Sequence, residues 1–335
     1  MRKFFPASVS ACLLAVAMCG ALLAGVSPLR KIAQVELPGP KGKRFDYVTV
    51  DPDDHFVIVA HMHGDQTYFV DTRTNQLAAT ITDTPGVEYV PDQRKVYTSN
   101  SGDNTIGVID IAQRKVIMKL KTEAKPDGST YAAPFHKLYV SDERGKAVAI
   151  VDVRSDTIMK TLHFDSETGM PQYDPVAKLA YVNLQDTERF AVIDPQDDRV
   201  LSQFPVAGCR GNHGMALAPE QRRAFLVCEG NNLLAVFDLE KHTVVQTLPL
   251  PEGGDVVKAD PGRGRIFVAC YSGAITAIQA LGSGQYKKIA DAPVEKRVHS
   301  LAINPETGYL YVPEEQEKGT PASRLIVYAL PGEVR

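Results

Sequence analysis

Apolar residues along this chain mostly alternate with polar ones or gather in short β-branched runs, the pattern of strands rather than of helices. One stretch shows the unit clearly. Val87-Glu88-Tyr89-Val90 ends at the turn pair Pro91-Asp92; residues 95–100 alternate; Ser101-Gly102-Asp103-Asn104 turns the chain; residues 105–110 and 116–120 supply two further runs. Asp, Asn and Gly at such turns give local side-chain hydrogen bonds or positive φ at little cost. Beyond the N-terminal segment no stretch holds a 3.6-residue apolar period, so a helical solenoid fits poorly.

The unit recurs. Seven prolines, Pro52, Pro91, Pro134, Pro175, Pro219, Pro261 and Pro305, each close an apolar run and stand 39, 43, 41, 44, 42 and 44 residues apart. Five third strands end in an aspartate (Asp71, Asp110, Asp152, Asp194, Asp238), while Gln279 and Tyr328 hold that place in the last two units. Four antiparallel strands at this period are the mark of a propeller blade. The fold expected is all-β, a seven-bladed β-propeller forming one domain over residues 27–335.

The ends of the chain suggest how the ring closes. The last unit stops after its third strand, at residues 324–330, and an orphan strand at 32–39 precedes the first. That orphan resembles the fourth strands elsewhere, so the N-terminal strand is expected to complete the last blade and cover its open edge.

Arg2 and Lys3 precede an apolar run from Ala11 to Ala24, too short to span a membrane comfortably. Residues 1–26 therefore read as a signal peptide, the address as periplasmic or secreted, and no transmembrane segment is expected after cleavage. The formal charge of −3 argues against a broad nucleic-acid footprint, which needs clustered Lys and Arg. Phosphate-loop, dinucleotide, haem-attachment and nucleophile-elbow motifs are lacking. Past residue 26 three cysteines remain, Cys209, Cys228 and Cys270, enough for one disulfide and one thiol.

The run Tyr97-Thr98-Ser99-Asn100-Ser101-Gly102-Asp103-Asn104-Thr105-Ile106, with Val108-Ile109-Asp110 after it, closely resembles the signature of the YVTN-repeat seven-bladed propellers. Leu138-Tyr139-Val140-Ser141 and Ala180-Tyr181-Val182-Asn183 are weaker copies, and the resemblance extends over the chain past residue 26. It implies the fold and a secreted protein. It implies no set of catalytic residues, since distant relatives of this architecture include lactonases, lyases and metal-cofactor enzymes alike.

Where the units differ, function is to be sought. Six positions upstream of each proline, at the channel end of the innermost strand, stand Asp46, Pro85, Gly128, Gly169, His213, Asp255 and His299. Hairpin pairing around the proline turn puts Glu229 opposite His213 and Glu315 opposite His299, within one residue. An imidazole held by a carboxylate serves as a base or as a metal ligand of fixed tautomer. The candidate ligand-binding residues are thus Asp46, His213, Glu229, Asp255, His299 and Glu315, with His213, Asp255 and His299 as candidate ligands of a divalent metal ion. Cys209 and Cys228 fall on the same end of one blade, where a disulfide would clamp the His213 loop. A water-facing rim rich in His and Asp is the bland alternative.

The function expected is a binding protein using the channel mouth at blades five to seven for a small molecule, a metal ion or a protein partner. A metal- or His-dependent lactonase or lyase and an envelope scaffold are the alternatives. No nucleic-acid partner is expected.

Overall fold

The computed structural model describes residues 29–330 apart from 85 and 283; the signal-peptide reading of residues 1–26 and the rim position of Pro85 lie outside the described residues. Seven four-stranded antiparallel sheets make a seven-bladed β-propeller. Six blades run in chain order from inner to outer strand. In the seventh, Ala302–Ile303, Leu310–Glu317 and Thr320–Ala329 are followed outward by Arg30–Glu36 from the other end of the chain. Val35 pairs with Leu325 and Glu36 with Arg324, so the blade is held by strand pairing across the chain's two ends. Among the described residues no helix is long and apolar enough to cross a membrane.

The marker prolines work locally. Pro91–Gln93 and Pro219–Gln221 are single 3-10 turns that start on the proline and close on Arg94 and Arg222, at φ 51° and 53°. Proline's fixed φ suits the first position of such a turn. In the third blade the turn begins one residue earlier, over Ala133–Phe135, with Pro134 second. That one-residue slip matters at the channel.

The recurring aspartates fold the next turn. Asp71 Oδ1 accepts the Arg73 and Thr74 amides at 2.8 and 3.0 Å, and Asp238 Oδ1 accepts those of Glu240 and Lys241 at 3.0 and 2.8 Å. Each turn then passes through a left-handed residue, Asn75 at φ 55° and His242 at φ 53°.

Two of the second-strand tyrosines tie neighbouring blades. Tyr97 donates to Asp156 of the next blade, where Lys95 also ends, 2.7 Å from a carboxylate oxygen. One blade on, Tyr139 and Lys137 meet Asp198 at 3.3 and 2.7 Å. Buried Val, Ile, Leu and aromatic side chains fill the space between sheets, with Tyr97, Tyr139, Phe225, Phe267 and Tyr311 among the largest fully buried. The segment at 314–321 is a hairpin in which Gln316 pairs with Pro321 and Glu317 with Thr320. Glu314 meets Arg324 at 2.6 Å, and Glu317 does so at 2.6 Å, so these two carboxylates already have a cation.

Candidate functional site

Four consecutive inner strands carry the same irregularity at the channel mouth. The ladder skips two residues between Pro126 and Ser129, Thr168 and Pro171, Asn212 and Met215, and Gly254 and Val257. Such bulges leave residues unpaired and re-aim their side chains. The first residue of each skip is Asp127, Gly169, His213 and Asp255 in turn. Each stands twelve positions before the second-strand aromatic of its blade, Tyr139, Tyr181, Phe225 and Phe267, and Asp46 and His299 stand twelve before Ile58 and Tyr311.

Counting from the aromatic thus gives Asp127 where counting from the proline gave Gly128, because Pro134 is second rather than first in its turn. Asp127 was the residue missed, and the aromatic spacing is the sequence signal that would have found it.

The bulge at His213 is held by a buried pair of asparagines. Asn183 Nδ2 donates to the His213 and Gly214 carbonyls at 2.9 and 3.2 Å, and Asn212 Nδ2 donates to Asn183 Oδ1 at 2.9 Å. Neighbouring inner strands touch so closely that a Cβ on Gly214 would lie 2.0 Å from the Asp255 carbonyl oxygen. Cys209 and Cys228 form a disulfide that bridges the segment before His213 to the residue before Glu229. Cys270 is free and buried.

These residues line a cavity of about 1000 Å³ at the mouth. Six carboxylates face it (Asp46, Asp127, Glu143, Glu229, Glu252, Asp255) against three permanent cations, Arg44, Lys125 and Arg144. His213 Nε2 lies 3.6 Å from both Asp127 Oδ2 and Asp255 Oδ1. Single ligand atoms of His213, Glu229 and Asp255 all fall within 4.8 Å of one another. Tyr47 donates to Asp127 across the channel at 3.0 Å and also lines a small cavity deeper in, so it forms the floor of the mouth.

The electrostatics follow from crowding charges in an enclosed space. Burial works against a charged His213, but Asp255, Glu229, Asp127 and Glu143 outweigh it and raise its pKa to about 9. Enclosure pushes the Glu229 carboxyl up to about 7, opposed by His213 and reinforced by the Asp255 and Glu143 charges. Burial first, then Asp127, holds Asp46 well above the usual carboxylate range. Asp46 is only 6 % exposed, and its carboxylate makes no hydrogen bond or ion pair among the described residues.

His299 departs from the sequence expectation. The inner strand of its blade is paired only at Ala302 and Ile303, so residue 299 precedes the ladder and does not face Glu315. Arg44 Nε donates to His299 Nε2 at 3.1 Å, and the Arg297 carbonyl lies 3.3 Å from Nδ1. Burial, with the Arg44 charge, lowers the His299 pKa to about 4. Both ring nitrogens are therefore engaged, and the group whose ligand atoms gather within 4.8 Å of one another is His213, Asp255 and Glu229, without His299. Glu315 is buried and forms an ion pair with Arg297 at 2.9 Å.

No protein-family model and no curated protein matches this sequence. Among solved structures the chain is similar to the WD40 repeats of RRP9, with TM-score 0.76 and 13 % identity over 89 % of this chain and 99 % of that one. It is similar also to U3-55K, with TM-score 0.75 and 13 % identity over 90 % and 98 %. At this identity the likeness is one of fold alone.

Proposed function

We propose that this chain is an exported binding protein of the YVTN-repeat type whose channel mouth takes a small, positively charged ligand. One observation carries the reading: Asp46, buried and with no hydrogen bond or ion pair to its carboxyl among the described residues, lines a cavity shared by six carboxyl groups. Burial and Asp127 keep its carboxyl protonated well past the usual range, and a bound cation would favour the ionised form. Export is supported by Arg2, Lys3 and the apolar run ending at Ala24, and the family by residues 97–110.

Calorimetric titration with cadaverine and spermidine at low salt tests it. Saturable one-to-one binding is expected, weakened about tenfold or more in Asp46→Asn, since a hydrogen-bonded or paired charge contributes about 1.5–3 kcal/mol. Absence of binding by any cation at millimolar concentration overturns the reading.

A His-dependent lactonase or lyase is the second reading. It is favoured by the neighbouring Glu229 and His213, whose pKa values of about 7 and about 9 suit a base and an acid. A lactone-opening screen in which Glu229→Gln turns over as fast as the parent chain would remove it.

A further inference from the structure

We propose that His213, Glu229 and Asp255 bind one divalent transition ion, of the class of Mn²⁺, Fe²⁺ and Zn²⁺. The proposal rests on reading the channel mouth as a cation site, and it narrows that site to three ligands on two neighbouring blades.

Two atoms bound to one ion at about 2.1 Å stand roughly 3.0–3.6 Å apart when the angle between them is between a right angle and 120°. His213 Nε2 and Asp255 Oδ1 are already 3.6 Å apart. They sit on inner-strand bulges braced by Asn183 and by the backbone contact at Gly214, so neither has far to move. A Glu229 oxygen lies within 4.8 Å of a ligand atom on each, which leaves Glu229 at most about 1 Å to close. Glu229 has the freedom to do so, because it begins an exposed 3-10 turn over Glu229–Asn231. The disulfide at Cys228 holds the base of that turn in place.

A separate observation points to a ligand at the same place. Asp46 is more than nine-tenths buried, lines the same cavity and makes no hydrogen bond or ion pair through its carboxyl among the described residues. The nearest opposing charges, Arg44 and His213, act on it from beyond ion-pair distance and do not offset its burial and the Asp127 charge.

The donor set selects the kind of ion. One imidazole nitrogen with carboxylate oxygens suits Mn²⁺, Fe²⁺ or Zn²⁺. No thiolate joins in, since Cys209 and Cys228 are joined to each other, and Cys270, paired with Gly254, is buried and does not line the cavity. Three protein ligands leave further coordination positions, and these face the cavity, where water or a ligand donor atom would complete the shell.

The test uses the chain purified without a histidine tag, stripped with chelator and titrated with Mn²⁺ and with Zn²⁺. One equivalent is expected to bind. Affinity should fall at least tenfold in Asp255→Asn and in Glu229→Gln and stay unchanged in His299→Gln. Bound Mn²⁺ should also enhance water-proton relaxation, reporting the open positions. Melting of each metal-free variant checks its fold; should Asp255→Asn fail to fold, Glu229→Gln at the rim decides alone. Failure of either ion to bind while cadaverine still does overturns the metal site and leaves the cation cavity standing. Failure of all of them overturns both. Parent-like metal affinity in Glu229→Gln shows that the ligand set is wrong.

Discussion

Arg44 Nε donates to His299 Nε2 at 3.1 Å, and its Nη2 lies 3.5 Å from Asp255 Oδ2. One side chain from ahead of the first blade thus separates two residues that the repeat register places side by side. It withdraws His299 from the cavity and leaves Asp255 shared between a guanidinium and His213.

Replacing Arg44 by Met should raise the His299 pKa. Burial is the main cause of its low value and would persist, but the Arg44 charge that opposes protonation would be gone while Asp255 stayed. A rise of roughly one unit is expected from loss of a like charge in contact, read from the imidazole proton resonances against pH. An unmoved His299 would show that burial acts alone.

Opening the Cys209–Cys228 bridge should loosen the turn that carries Glu229. The double change to Ser is expected to cost about 3 kcal/mol for a loop of this length, measured by urea denaturation. In a chain starting at residue 27, thiol titration should find one group, Cys270. It should react slowly until the protein unfolds, because burial pushes that thiol up to about 12. Three thiols in the native protein would contradict the bridge.

His61 makes the fold sensitive to acid. It is fully buried, stacked on Phe45 with ring centroids 4.1 Å apart, and bonded to Tyr68 Oη at 2.9 Å. Burial holds its pKa down to about 4, with His63 adding to this and the Lys43 carbonyl and Asp65 opposing it. The unfolded chain binds a proton on this ring below about pH 6.5, whereas the folded chain does so only below about 4. Stability from this group is therefore whole above 6.5 and lost as pH falls through that window, by about 3 kcal/mol in all. His61→Gln should flatten that part of the stability–pH curve; an unchanged slope would assign acid lability to other groups.

Asp156 is the shared anchor of Tyr97 and Lys95 between two blades. Asp156→Asn leaves the mostly buried Lys95 ammonium without its counter-ion, so a loss of about 2 kcal/mol is expected. Asp198→Asn should behave alike one blade on, because Lys137 and Tyr139 repeat the arrangement. A cost below about 0.5 kcal/mol in both would show the clamp to be dispensable.

Much of this protein was legible in its sequence. The proline period and the strand-length apolar runs require four-stranded units in a ring, because strand alternation and turn chemistry are local properties that each repeat states afresh. The rim register was legible too, since a bulge recurring at one place in several blades keeps residues such as His213 and Asp255 in step. It failed by one residue at Asp127, where Pro134 is displaced within its turn.

Which rim side chains meet was not a local matter. His213 and His299 hold the same register position, yet one lies among carboxylates and the other under a guanidinium. Arg44 precedes the first blade and Glu229 lies just past a second strand, so neither belongs to the repeated inner-strand pattern. Closing the ring brings residues more than two hundred positions apart to within hydrogen-bond distance, as at Arg44 and His299. The sequence determined the ring and the height at which its side chains enter the channel. Only the closed structure decided their partners, because those are fixed by distances across the channel that no single repeat encodes.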